Sequence, residues 1–213
     1  MKRANGGFIG PFRDVSATAR LSLPGMWSLA EQQQYRGSGR WSMLTRTGVG
    51  LLGQTFSGDW RATISTGNIG SLPLSSPTVY TSISYGDLGD NYGFLGIGYF
   101  TPPTTGTYTF YTSSDDGSGV WVGDIASATS GRTTANAVVN NNMGGGQGDT
   151  KRSGTISLTA GVVYPIRIVH EEGAGGSNLT FSWAGPGISE TTSLSTYFSF
   201  YKTEAGANFA NYV

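Results

Sequence analysis

From Gly48 onward the chain alternates apolar and polar residues with a period of two. Thr107-Tyr108-Thr109-Phe110-Tyr111 shows the alternation plainly, and Ile166, Ile168 and His170 fall on one strand face while Arg167, Val169 and Glu171 fall on the other. Segments of this kind, rich in Thr, Tyr, Val, Ile and Phe and punctuated by Gly, Pro, Asn and Asp, are the mark of antiparallel sheets packed on one face. No helical period of useful length interrupts them, which excludes βαβ units and predicts an all-β, antiparallel β-sandwich. The predicted strands are 50–56, 79–84, 93–100, 106–113, 119–122, 153–159, 162–171 and 177–183. The stretch 136–151, with Asn140-Asn141-Asn142 and Gly144-Gly145-Gly146, reads as a long loop.

Residues 1–47 read differently, as an extended N-terminal arm ahead of a sandwich domain over 48–213. Gly6-Gly7, Gly10-Pro11, Pro24-Gly25, Gly37 and Gly39 break each apolar run before it reaches the length of a core element. Ser28 followed by Glu31 has the form of a capping box and predicts a short helix over 29–36. Phe8, Ile9, Phe12, Trp27, Leu29, Tyr35 and Trp41 are then the expected anchors for docking on other subunits. A Gly-rich terminus is ordered only when something ties it down, so partner chains and a homo-oligomer are expected. Tyr197, Phe198, Phe200, Tyr201, Phe209 and Tyr212 crowd the tail, whose last part is expected to pack on a neighbour.

Thirteen Lys and Arg balance thirteen Asp and Glu, so the chain has no long-range field for gathering phosphates, and nucleic acid and anionic membrane are poor partners. Zero Cys and a single His leave no ordinary zinc or thiolate site, and any metal would be held by oxygen. Gly accounts for 34 of 213 residues, more than twice the usual share of about 7%, so Ser, Thr, Asn and Gly carry the polar surface. No signal peptide and no membrane-spanning run are visible. An extracellular-looking composition without an export signal suits a protein of cytosolic origin that leaves the cell by lysis, inside a particle.

Two segments carry the strongest signal. One is GYFTPPTTGTYTFYTSSDDGSGVWVGD, residues 98–124, in which the adjacent acids Asp115 and Asp116 sit between two strands; the other is AGVVYPIRIVHEEGAGGSNLTFSW, residues 160–183. Together with GLLGQTFSG at 50–58, they resemble the β-sandwich family named after the anthrax toxin's protective antigen, and more closely its GLEYA branch, which includes the yeast flocculins. The resemblance spans roughly 48–187 and implies a jelly-roll type sandwich. It also implies Ca²⁺ held by Asp115, Asp116 and Glu172 with carbonyls of 173–177, and sugar hydroxyls recognised there. Glu172 stands where the flocculin pattern has Asn. Two carboxylates plus loop carbonyls would provide most of the six to eight hard oxygens that calcium prefers.

The set expected to contact a host glycan is Asp115, Asp116, Trp121, Glu172 and Asn178. Trp60, Trp121 and Trp183 are all candidate stacking platforms, with core packing between Val120 and Val122 the favoured placement for Trp121. Asp115-Asp116-Gly117-Ser118 also has the composition of a plain β-turn. A glycosidase would need two carboxyls across one cleft, but Glu171 and Glu172 alternate on a strand, and His170 lacks a triad context. No catalytic residues are therefore expected and the chain is not read as an enzyme. Finally, GGFIGPFRDVS followed by LPGMWSLAEQQQYRGSGRW, within 5–41, resembles the leader of tailed-phage structural proteins. That resemblance implies a virion structural protein whose arm binds other virion proteins, with a Ca²⁺-dependent carbohydrate-binding adhesin as the alternative.

Overall fold

The structure, a computed structural model, describes residues 45–58, 77–128 and 130–202. The expected helix at 29–36, the arm anchors Phe8, Ile9, Phe12, Trp27, Leu29, Tyr35 and Trp41, as well as Trp60, Phe209 and Tyr212, lie outside the described residues.

In chain order the elements are β1 (Thr45–Val49), β2 (Leu51–Ser57), β3 (Thr78–Tyr80), β4 (Ser84–Tyr85), β5 (Tyr92–Phe100), β6 (Gly106–Asp115), β7 (Ser118–Val122), a short helix α1 (Asp124–Ser127), β8 (Val139–Asn141), β9 (Thr150–Leu158), β10 (Tyr164–Glu172), β11 (Asn178–Gly185), β12 (Ile188–Thr191) and β13 (Phe198–Lys202). Among the described residues they form two sheets. The larger runs β1-β13-β5-β10-β7-β8, with β2 also on β5 and β3 on β2; the smaller runs β12-β11-β6-β9, with β4 on β11. The strand pairs given a register are antiparallel, β10 against β5 from Tyr164↔Phe100 to Glu172↔Tyr92 and β6 against β9 from Gly106↔Leu158 to Ser114↔Thr150. Among the described residues no helix is long and apolar enough to cross a membrane.

The period-two pattern decides what each face buries. Ile166 and Ile168 of β10, Val120 and Val122 of β7, and Tyr108 and Phe110 of β6 turn inward with Phe181 and Trp183 of β11 to form the main core. Phe100 sits at its centre, its ring centroid 5.2 Å from Tyr108, 5.2 Å from Trp183 and 4.9 Å from Phe198. The other face of the large sheet carries a second cluster of Phe56, Leu95, Trp121, Ala126, Met143 and Val169. Arg167 lies on that face in register with Trp121; burial first, then Arg132, lowers its pKa to about 9.

One expectation needs correction. The stretch 136–151 is not one loop: it holds β8, whose Val139 and Asn141 point inward, and the start of β9. Three residues are too few for alternation to show in a sequence, and the Asn run masks them. The tail as far as Phe200 belongs to the sandwich, with Leu194, Phe198 and Phe200 buried and Phe198 paired with Phe100; its last part, expected to pack on a neighbour, lies outside the described residues. β1 begins at Thr45, within the stretch read as arm.

Candidate metal and sugar site

Along four inward-facing rows the core changes character in the same direction. β10 reads Ile166, Ile168, His170, Glu172; β6 reads Tyr108, Phe110, Thr112, Ser114; β7, which runs antiparallel to β10, reads Val122, Val120, Ser118; β8 reads Val139, Asn141. One end of the sandwich interior is therefore apolar and the other polar. Polar groups buried there have to find partners, and they do. Ser118 Oγ donates to Thr112 Oγ1 at 2.8 Å and shares a 2.7 Å contact with Ser114 Oγ, while Asn141 Nδ2 donates to the Thr150 carbonyl at 2.7 Å.

The acid pair caps this polar end. Asp115 and Asp116 are joined by a cis peptide bond, and together with Glu172 they place one carboxylate oxygen each within 4.8 Å of one another. Asp116 is clamped from two loops: the Gln147 amide donates to Oδ1 at 2.8 Å and the Gly173 amide to Oδ2 at 3.1 Å. Gln147 Nε2 further donates to the Asp116 carbonyl at 3.2 Å and to Asn141 Oδ1 at 3.0 Å, tying the clamp to the buried network. Glu172 accepts the Asp116 amide on Oε2 at 3.1 Å, whereas its Oε1 is buried without a hydrogen-bond partner.

His170 supports the pair from beneath. It is fully buried; its Nε2 lies 3.0 Å from the Asp115 carbonyl and its Nδ1 3.1 Å from the Tyr85 hydroxyl. A carbonyl only accepts, so Nε2 carries the proton and Nδ1 accepts from Tyr85. Burial holds the ring neutral, its pKa lowered to about 4. The site is thus braced by a Tyr85–His170–Asp115 chain that delivers no positive charge to it.

Among the described residues, charge at the site is one-sided. Burial, then Asp116 and Asp115, raises Glu172 to about 7, and Asp115 is raised by burial, Asp116, Asp149 and Asp87. Mutually repelling carboxylates with a buried, unpartnered oxygen are the donor set of a hard dication, for which oxygen ligands and charge neutralisation are the requirements. The loop 173–177 passes close by, and a Cβ added at Gly176 would stand 3.6 Å from Asp115 Oδ2, within the space beside that carboxylate. The residues present therefore fit Ca²⁺.

Of the residues expected from sequence, Asp115, Asp116 and Glu172 converge, and Asn178 is the register partner of Asp115 at the start of β11. Trp121 is a correction: fully buried in the second cluster, it donates Nε1–H to the Thr133 carbonyl and Asn136 Oδ1, so it offers no ring to a sugar. Trp183 is likewise core. Glu171 lies on the opposite face from Glu172, where its Oε1 accepts the Gly144 amide, so the two do not form a cleft pair. The clamp residue Gln147 and the brace residue Tyr85 carry no sequence signal, while His170 was legible only as a packed ring.

The fold is a sandwich of the GLEYA and PA14 type. The sequence matches the GLEYA domain over residues 94–185. No curated protein matches the sequence. Among solved structures, the epithelial adhesin 9 A domain from Candida glabrata, in complex with Galβ1-3GlcNAc, is similar with a TM-score of 0.58 and 14% identity, over 74% of this chain and 91% of that one. The PA14 sugar-binding domain from an RTX adhesin gives 0.56 and 18%, over 72% and 99%. An anti-sigma factor domain-containing protein from Clostridium clariflavum gives 0.53 and 16% over 75% of this chain, which spans only 50% of that protein's length.

Proposed function

We propose that this chain is a Ca²⁺-dependent carbohydrate-binding module of the adhesin kind. The observation that carries the reading is the buried, unpartnered Glu172 Oε1 within the convergence of Asp115, Asp116 and Glu172. These three side chains would hold the ion, which when bound supplies an electropositive centre for sugar hydroxyl oxygens. The chain's own groups do the rest. The Gln147 and Gly173 amides fix Asp116, the His170 N–H fixes the Asp115 carbonyl, and the half-buried Asp115 carboxylate accepts hydroxyl hydrogens. A loop of Gly, Ala and Ser at 173–177 leaves room for a ring beside it.

Calcium titration of the chelator-treated protein tests the reading. Ligand that binds only the native state stabilises it by about 2.7 kcal/mol at a hundredfold excess over Kd. Melting should therefore rise with Ca²⁺ and fall back with chelator, and Asp116→Asn should remove the response. A glycan array probed with and without Ca²⁺ tests the sugar half; an unmoved melting transition would sink the metal half.

A second role rests on the leader at 5–41, whose resemblance to tailed-phage leaders supports a virion structural protein displaying this module through an arm bound to other virion proteins. Mass spectrometry of purified particles from the source culture checks it, and absence of the chain from them would count against it.

A further inference from the structure

We infer that the loop at residues 86–91 is an acidic specificity wall that admits neutral sugars to the site and turns away anionic ones, an inference that rests on the function proposed above. The loop sequence is Gly86-Asp87-Leu88-Gly89-Asp90-Asn91. It is bound to the glycine loop bordering Asp115: Asp87 Oδ1 accepts Ser177 Oγ–H at 3.1 Å, Asp90 Oδ1 accepts the Gly175 amide at 3.1 Å, and the Asn91 amide donates to the Gly173 carbonyl at 2.9 Å. Tyr92 adds a hydroxyl contact to Ser177 Oγ at 3.0 Å. These bonds use one oxygen of each aspartate and hold both charges at the rim.

Their field reaches the carboxylates, since Asp87 acts on Asp115 and Asp90 on Glu172, and Asp149 adds to the effect on Asp115. Among the described residues, the charged groups that raise Asp115 and Glu172 are acids. Lys151, two residues beyond Asp149, is committed elsewhere, 2.6 Å from Glu190 and over the Tyr111 ring. With a dication bound, three ionised carboxylates leave one negative charge, and Asp87 and Asp90 bring the total to three. A ligand carboxylate or sulfate would enter that field within about one Debye length, roughly 8 Å at physiological salt, where screening is incomplete. Between the aspartates stands Leu88, 58% exposed, an apolar surface that suits the C–H face of a sugar ring and offers an anion nothing.

The test compares pairs of methyl glycosides that differ only in oxidation at C6: galactoside and galacturonide, glucoside and glucuronide, mannoside and mannuronide. Binding is measured by calorimetry on the full chain saturated with Ca²⁺. The neutral member of any pair that binds should be favoured at least about tenfold, and the preference should shrink as salt rises. Asp87→Asn with Asp90→Asn keeps both acceptor oxygens for Ser177 and Gly175 while removing the charges, so the gap should close to within about threefold with Ca²⁺ binding retained. Equal binding of the acid members, or a gap that the double variant leaves unchanged, overturns the inference. Ca²⁺ binding with no response to any of the six glycosides removes the sugar reading and this inference together, whereas failure to bind Ca²⁺ at all removes the metal reading and both with it.

Discussion

Glu172 and His170 are neighbours in one inward row and serve the site in opposite ways. Glu172 brings a charge the metal-free protein has to hold against two others, so Glu172→Gln should raise the melting temperature in chelator by a few degrees and weaken Ca²⁺ binding at pH 8. A calcium titration run beside a chelator melt checks both signs, and a variant that loses stability in chelator would mean that Glu172 is held by contacts rather than strained by charge. His170 brings a donor and no charge. His170→Leu leaves the Asp115 carbonyl and the Tyr85 hydroxyl unpaired in a buried setting, which costs about 1–3 kcal/mol per group, and Ca²⁺ affinity should fall about tenfold. His170→Gln keeps an N–H in reach of Asp115 and should recover most of it, whereas a purely space-filling histidine would be replaced as well by Leu. The acid pair and Glu172 entered the reading through the resemblance of residues 98–124 and 160–183 to the GLEYA pattern, in which the adjacent acids stand out. The brace was not, because a lone His beside Ile166 and Ile168 looks the same in sequence whether it merely packs or orients a carbonyl.

At the scale of elements, the long strands were legible, while β1 and β13 at the two ends of the sheet domain and the short β8 and β12 were not. β5, β6, β10 and β11 fall within a few residues of their expected positions, since each carries large apolar side chains on its inward face over part of its length. β4, β8 and β12 have two to four residues and are fixed by partners far away in sequence, which no local pattern reveals. Gly154 shows how such a partner constrains the chain. A Cβ there would come within 1.6 Å of the Val138 carbonyl oxygen, so β9 and the entry to β8 approach as closely as they do only because the side chain is missing. Gly154→Ala should cost about 1–3 kcal/mol through overpacking against backbone, read as a lowered urea midpoint. Across the outer face of the small sheet, Lys151 of β9 reaches over Tyr111 to Glu190 of β12, which also accepts Ser182 Oγ–H at 2.6 Å. Lys151 and Ser182 hold the Glu190 carboxyl below its usual 4.5, so the stability it lends is present above 4.5 and lost as pH falls through the lowered value. The pair is partly solvent-exposed, so Glu190→Gln should cost no more than about 1 kcal/mol at pH 7, and the urea midpoints of the two proteins should converge as pH falls through the lowered value.

For the molecule as a whole, the gradient from apolar to polar along the interior separates what holds the fold from what the site does. The Phe100 cluster, with Tyr108, Trp183 and Phe198 around it, lies away from the carboxylates and owes nothing to an ion. Phe198→Ala should therefore destabilise by about 3–5 kcal/mol whether or not Ca²⁺ is present. The polar end depends on three loops that meet at Asp116 and Asp115, and loops of this kind open locally at lower free energy than core strands. Hydrogen exchange followed by mass spectrometry should then show Ca²⁺ slowing exchange in peptides over 113–118, 141–148 and 171–177, where the Gln147 and Gly173 amides clamp Asp116. Peptides over 106–110 and 181–184, which carry the apolar core, should change far less in conditions where local opening dominates. Uniform slowing across both ends would instead place the ion's effect on global unfolding, and a change confined to the core would contradict a site at the acid pair.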